Sequence, residues 1–325
     1  DVVTADAYFD YPALFDDGKL TIDIHQGWDK DDTQHRQTRE IFNTLKARGF
    51  ALPAGVSTWD DYHRSGPLKK TLNANGRSIA VEVRLFVGKP GTSSDPNTDA
   101  GGAQLKKDLK ESLRIKDVVL FQGHSGPFFG FPMANWHETS TGELDDDEMR
   151  TMSLRSKYQV VFAEGCDTLM IGPALLGNPD KDGANIDVIT TTTFSDLESN
   201  PALEFLSHLL EVDSHGRHRP RPMGELLWEL DPHAMYGVHG AMDNPHLHPY
   251  ANVDRLCEPC QVRSDCGEVG NACIALDNES LSTHCAAACT DDDGCPSGFH
   301  CGDVVFEEPS TVFWKVCLPD EQICE

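Results

Sequence analysis

Ten of the eleven cysteines in this 325-residue chain lie after residue 256, at Cys257, Cys260, Cys266, Cys273, Cys285, Cys289, Cys295, Cys301, Cys317 and Cys324. The segment that carries them has few apolar periodicities and cannot fold on a hydrophobic core. It needs covalent staples, and an even set pairs off as five disulfides, each contributing about 2 to 4 kcal/mol. Such bonds persist only in an oxidising compartment, so the chain is expected to be secreted or extracytoplasmic. Cys257 and Cys260 form a CxxC pair, but the second CxxC of a zinc ribbon is missing. No internal repeat is evident. The composition change divides the chain into an expected domain over 1–250 and a cysteine-rich disulfide domain over 251–325.

The eleventh cysteine, Cys166, closes the apolar run YQVVFAEGCDT and has no partner left. An unpaired thiol in a disulfide-forming protein is either a small buried hydrophobe or is kept for its reactivity.

The first 250 residues alternate strand-like and helix-like segments, the pattern of an α/β domain with a mostly parallel sheet. LTIDI at 20–24 reads as a strand with a polar exit at His25 and Gln26. Helical spacing over 38–48 follows, closed by Gly49. Strand 78–87 leads into a polar loop, 88–102, then an amphipathic helix over 104–113. DVVLF at 117–121 and QVVFA at 159–163 read as strands buried on both faces. Strand 186–193 and a helix over 201–210 complete the alternation. Residues 137–157 read as a polar loop whose Arg150, Arg155 and Lys157 are candidate sites of self-cleavage. Residues 213–250 carry no clear signal.

Acidic residues outnumber basic ones by 53 to 27, giving a formal charge of -26. A field of that sign repels nucleic acid and anionic membranes and suits cationic substrates or divalent metals. No apolar stretch reaches the roughly 20 residues that a membrane-spanning helix needs.

Both buried strands release a reactive side chain at the C-terminal end, where open parallel sheets bind ligands. One runs into Gln122, Gly123, His124, Ser125 and Gly126, the other into Glu164, Gly165 and Cys166. A histidine at one strand end can take the proton of a thiol at the next. Backbone amides around Ser125, Gly126 and Cys166 would then hold the oxyanion formed as the thiolate adds to a carbonyl. Glycines at 123, 126 and 165 permit the close approach. The implied chemistry is acyl transfer, most simply peptide hydrolysis.

LFQGHSG and VFAEGCD, with His124 and Cys166 forty-two residues apart, resemble the caspase, legumain, gingipain and clostripain clan of cysteine peptidases. In that clan glycine follows the histidine directly, whereas here Ser125 precedes Gly126. The resemblance implies a caspase-like three-layer α/β sandwich, His124 as the proton-transfer residue and Cys166 as the nucleophile. It implies a specificity pocket along the following strand, at Thr191, Thr192 and Thr193. Asp167 or Asp196 would pair with a basic P1 side chain, so the expected partner is a peptide or protein substrate cut after Lys or Arg, with no cofactor required.

Asn178, Asp180 and Asp182 before Gly183 reproduce the first half of a calcium loop, although Ile189 stands where the bidentate glutamate belongs. Calcium is the one metal expected there. Histidines 215, 218, 233, 239, 246 and 248 in the segment 208–248 support a rival class, an extracellular metal-binding protein, without any HExxH spacing. A third class is a catalytically inactive peptidase-like protein that binds partners. Asn278 and Ser280 form a glycosylation sequon.

Overall fold

Three mostly apolar segments, 118–122, 159–164 and 186–191, are buried along their whole length and form the centre of one sheet. The computed structural model describes residues 7–28, 32–126, 130–195, 199–212, 216–230, 236–240, 249, 255–262, 266, 271–276, 282–290, 292, 295–296, 298–306, 312–321 and 324. Two compact units result, Pro12–Arg221 with Glu225–Asn244, and Asp1–Tyr11 with Pro222–Gly224 and Pro245–Glu325.

In chain order the elements up to residue 240 are α1 (Tyr11–Leu14), β1 (Lys19–Gln26), α2 (Thr33–Ala47), β2 (Leu68–Ala74), β3 (Arg77–Phe86), α3 (Asp99–Ile115), β4 (Val118–Gln122), β5 (Phe131–Pro132), β6 (Glu143–Leu144), α4 (Asp146–Met149), β7 (Gln159–Glu164), α5 (Ile171–Leu176), β8 (Ile186–Thr191), α6 (Pro201–Leu209), α7 (Met223–Leu230) and β9 (Tyr236–His239). Seven of these strands make one sheet in the order β2-β3-β1-β4-β7-β8-β9. Strands β3, β1, β4, β7 and β8 run parallel, while β2 and β9 pair antiparallel at the edges. Alternate residues of β4, β7 and β8 pack with Leu105, Leu109 and Leu113 of α3, Met149 of α4 and Leu175 of α5. The opposite face carries α6, whose Phe205 stacks on Phe162 at 4.6 Å. Helix α2 lies beside α6, tied by the Gln37 amide to the Ser199 carbonyl at 2.6 Å. Helices on both faces remove both sides of the central strands from water, which is why those strands carry no polar alternation.

Several sequence expectations change. His25 is not a polar exit: β1 continues to Gln26 and His25 is 0 % exposed. Its ring stacks on Phe86 at 4.5 Å and its Nε2 meets the Ser112 hydroxyl at 2.9 Å. Burial pulls its pKa down to about 3, so the ring is neutral. Helix α3 begins at Asp99, inside the expected loop, because Thr98 caps it through Gly101 N–H. Gly102 is buried against the Thr141 carbonyl, where a Cβ would lie 2.9 Å away. The stretch 137–157 is not a loose polar loop, since Leu144 and Met149 are fully buried. Arg155 is bound to Asp117 and to the Ile115 carbonyl. The hairpin β2–β3, which is not among the sequence expectations, turns at Asn75-Gly76, both at positive φ as a two-residue turn of this kind requires.

The cysteine-rich unit holds β10 (Pro259–Cys260), β11 (Ala272–Ala275), β12 (Thr283–Ala286), β13 (Phe299–Phe306) and β14 (Val312–Pro319). All ten cysteines pair, as 257–324, 260–273, 266–285, 289–301 and 295–317. These bonds require an oxidising environment. The CxxC pair is split between two bonds, so neither sulfur is a zinc ligand.

The pairing contains a repeat. In the first half, Cys273 and Cys285 sit directly opposite each other on β11 and β12 and bond back to Cys260 and Cys266. In the second half, Cys301 and Cys317 sit opposite on β13 and β14 and bond back to Cys289 and Cys295. The two halves are therefore one disulfide-hairpin module used twice, and Cys257–Cys324 closes the pair from end to end.

Loop-closure entropy grows with the length enclosed. Replacing Cys257 and Cys324 with serine, which frees a sequence separation of 67, is expected to cost about 4 kcal/mol. The same change at Cys260 and Cys273, separation 13, is expected to cost about 3 kcal/mol. Denaturant unfolding of the two double variants, with disulfide mapping by mass spectrometry, measures both.

Candidate functional site

Three adjacent central strands end in a common pattern: Gln26-Gly27-Trp28 after β1, Gln122-Gly123-His124 after β4, and Glu164-Gly165-Cys166 after β7. The register pairs Gln26 with Gln122 and Gln122 with Glu164. The ladder then runs one step further, Gly27 N–H donating to the Gln122 carbonyl at 2.9 Å and Gly123 N–H to the Glu164 carbonyl at 3.1 Å. The next residues are Trp28, His124 and Cys166, so these three form a row across the strand ends.

Glycine is required at each step. A Cβ on Gly123 would lie 2.8 Å from the Gly27 Cα, and one on Gly165 would lie 2.8 Å from the Gly123 carbonyl and 2.9 Å from the Ser125 Cβ. These obstacles are largely backbone and cannot rotate away, so the glycines bring neighbouring chains closer than any other residue allows.

His124 and Cys166 are both half-buried. The His124 ring packs against Trp28 at 5.9 Å and Trp136 at 6.0 Å between centroids. Ser125 donates to the Gly130 carbonyl at 3.0 Å. Ser125 and Gly126 line a small cavity with Asp167 and Thr168, which brings the turns after His124 and Cys166 face to face.

Behind Cys166 the chain is pinned. Asp167 adopts the left-handed conformation at φ 56 and donates its N–H to the Thr193 carbonyl at 2.9 Å. The Thr168 hydroxyl meets the Ala163 carbonyl at 2.7 Å and accepts from Thr191 N–H at 2.9 Å. Thr191 is buried with its hydroxyl on the Gly165 carbonyl, whereas Thr192 and Thr193 are half-buried. Asp196 lies outside the described residues.

One group went unread in the sequence. Glu164, 2 % exposed, ends β7 two residues before Cys166. It accepts from the Ser195 hydroxyl and from the Tyr236 hydroxyl, the latter at 3.2 Å. A buried carboxylate held by two hydroxyl donors at the end of β7 is visible in the sequence only as the E of EGC.

Other chemistry-bearing residues lie elsewhere. Asp23, His25 and Ser112 are the residue types of a hydrolytic triad, but all three are buried and the Ser112 hydroxyl donates to Asp23 at 2.6 Å. No substrate reaches them. Asn178 donates to the Met149 and Met152 carbonyls, both at 2.7 Å. Asp180 accepts from Leu154 N–H at 2.9 Å and Asp182 from Ala184 and Asn185 N–H at 3.0 Å. All three brace the turn before β8, at the strand ends opposite the row. His218 is buried with Nε2 on the Leu209 carbonyl at 3.0 Å, and His239 Nε2 meets the Thr190 hydroxyl at 3.1 Å. Burial lowers the His239 pKa. Histidines 215, 233, 246 and 248 and the sequon Asn278 lie outside the described residues. Among the described residues, the groups of three or more metal-ligating types are disulfide-bonded cysteines. No helix among them is long and apolar enough to cross a membrane.

No protein-family model matches this chain, and no curated protein matches it.

Gly123→Ala is expected to destabilise the large unit by about 1 to 3 kcal/mol, because the backbone at Gly27, after the neighbouring β1, must move. Alkylation of Cys166 by iodoacetamide should change in rate in the same variant, whereas Gly76→Ala, far from the row, should leave that rate as it is. Thermal unfolding and peptide mass spectrometry read the two effects.

Proposed function

We propose that the chain is a secreted cysteine endopeptidase with His124 as general base and acid and Cys166 as nucleophile, cutting after a basic residue. The observation that carries this reading is the common register of Gly123 and Gly165, which sets a histidine and the one unpaired thiol on neighbouring strand ends. The mostly parallel sheet with helices on both faces is compatible with the caspase-like sandwich that LFQGHSG and VFAEGCD suggest.

In the proposed reaction His124 takes the proton of the Cys166 thiol as the sulfur adds to the scissile carbonyl. Backbone N–H groups of Ser125, Gly126 and Cys166 would receive the oxyanion. His124 returns the proton to the leaving amine as the C–N bond breaks, leaving a thioester on Cys166. Water then adds with His124 as base, and the carboxylic acid and free thiol are restored. The chemistry uses no cofactor.

Two further features support a peptide substrate. Of the eight exposed large hydrophobic side chains among the described residues, Trp136, Leu169, Met170 and Phe194 belong to turns around the row. Apolar surface gathered at one place marks a binding face. Asp167, half-buried and next to Cys166, supplies the charge that a Lys or Arg side chain would meet, in keeping with the overall acidity. The waters and hydroxyls that neutral pockets use would not favour a cation in this way.

Cys166→Ala is expected to lower cleavage of Arg- or Lys-containing peptides by about 1,000-fold or more and to abolish labelling by a thiol-directed acyloxymethyl ketone. A P1 scan over all twenty residues should favour Arg and Lys. Asp167→Asn should reduce kcat/KM for those two by roughly 10- to 100-fold. Preference for Asp or Asn at P1 would overturn the charge argument, and labelling that persists in Cys166→Ala would overturn the nucleophile.

A further inference from the structure

Trp28 shares the row with His124 and Cys166 but has no part in the chemistry proposed above. It is 7 % exposed, and its backbone N–H donates to the Pro132 carbonyl at 3.2 Å. Its indole meets Trp136 at 4.6 Å and His137 at 5.8 Å, and Trp136 meets His137 at 5.5 Å. With His124, these rings form a continuous aromatic wall. Trp136 is 45 % exposed, so a large part of that wall faces solvent.

The turn that carries Trp136 and His137 is braced by hydrogen bonds. Asn135 N–H donates to the Pro96 carbonyl at 2.9 Å, its side-chain amide donates to Asn97 at 2.9 Å, and its Oδ1 accepts from His137 N–H at 3.1 Å. Rings that are already ordered lose little freedom when a ligand stacks on them.

Its place in the row sets what it would meet. Across the sheet the order is β1, β4, β7 and β8, so Trp28 lies on the side of His124 away from Cys166 and from β8, and Trp136 packs on both Trp28 and His124. The histidine of such a dyad protonates the leaving amine. The residue that carries that amine must therefore lie on the His124 side.

We infer that Trp28, Trp136 and His137 form a subsite for an aromatic or large apolar residue immediately after the scissile bond, the P1′ position. This rests on the cysteine-peptidase reading of His124 and Cys166. An indole edge and face exposed to water gain most by stacking against another ring or a branched aliphatic side chain. A glycine at P1′ gains nothing from them.

The test uses the intact chain and a peptide series with a fixed Arg at P1 and Phe, Leu or Gly at P1′. The wild-type protein should cleave the Phe and Leu peptides with kcat/KM roughly tenfold above the Gly peptide. In Trp136→Ala that ratio should fall close to one, and in Trp136→Phe most of it should remain. A structural disturbance of His124 would slow all three peptides alike and keep the ratio, which would overturn the inference. A wild-type ratio near one would also overturn it, and this comparison needs no variant to fold. Cleavage that requires Cys166 but ignores P1′ would leave the peptidase reading standing and remove only the subsite. Absence of any Cys166-dependent cleavage would remove both.

Discussion

The close crossing of three backbones at Gly27, Gly123 and Gly165 is the constraint on which the candidate site depends. Each of these positions lacks room for a Cβ: the Pro132 carbonyl and the Phe121 ring occupy the space at Gly27, the Gly27 backbone that at Gly123, and the Gly123 carbonyl and Ser125 that at Gly165. The peptide ladder therefore continues past the last regular pair, and Trp28, His124 and Cys166 leave the sheet side by side. A larger residue at any step would spread the strand ends and move His124 and Cys166 apart. Turns behind the row then fix it from the other side, through the Thr168 and Thr191 hydroxyls on the Ala163 and Gly165 carbonyls.

Much of this was legible in the sequence, and for a physical reason. Strands buried on both faces must be apolar throughout, so VVLF and VVFA announced themselves, and the residues that follow such strands in a parallel sheet gather at one edge. The pattern Gln/Glu-Gly-X, repeated at three strand ends, was present too. Only two of its members were read, because the register that aligns Gln26 with Gln122 is a property of the folded sheet. Glu164 was passed over for the same reason, since a single acidic letter at a strand end does not disclose Ser195 and Tyr236 closing on it.

His25 misled because a histidine after an apolar run reads as an exit, whereas a hydroxyl from α3 and the face of Phe86 make a buried neutral ring acceptable. Gly101 and Gly102 misled in the opposite direction. They mark close packing of a helix against the Asp95 and Thr141 backbone instead of a flexible loop. In the cysteine-rich unit, spacing fixed that all ten sulfurs could pair but not which pairs form. The doubled hairpin module appears only when Cys273–Cys285 and Cys301–Cys317 are seen as cross-strand neighbours that each bond elsewhere. There the covalent frame takes the part that a packed core takes in the large unit.

The central claim is that His124 and Cys166 act on each other across the glycine row. The most direct measurement is the rate at which iodoacetamide alkylates Cys166 at pH 6, compared between the wild-type protein and His124→Ala with the five disulfides intact. Coupling of the two residues predicts alkylation about 100-fold slower in the variant, because the thiolate loses the imidazolium that stabilises it. Equal rates in the two proteins would contradict the dyad and leave Cys166 an ordinary surface thiol.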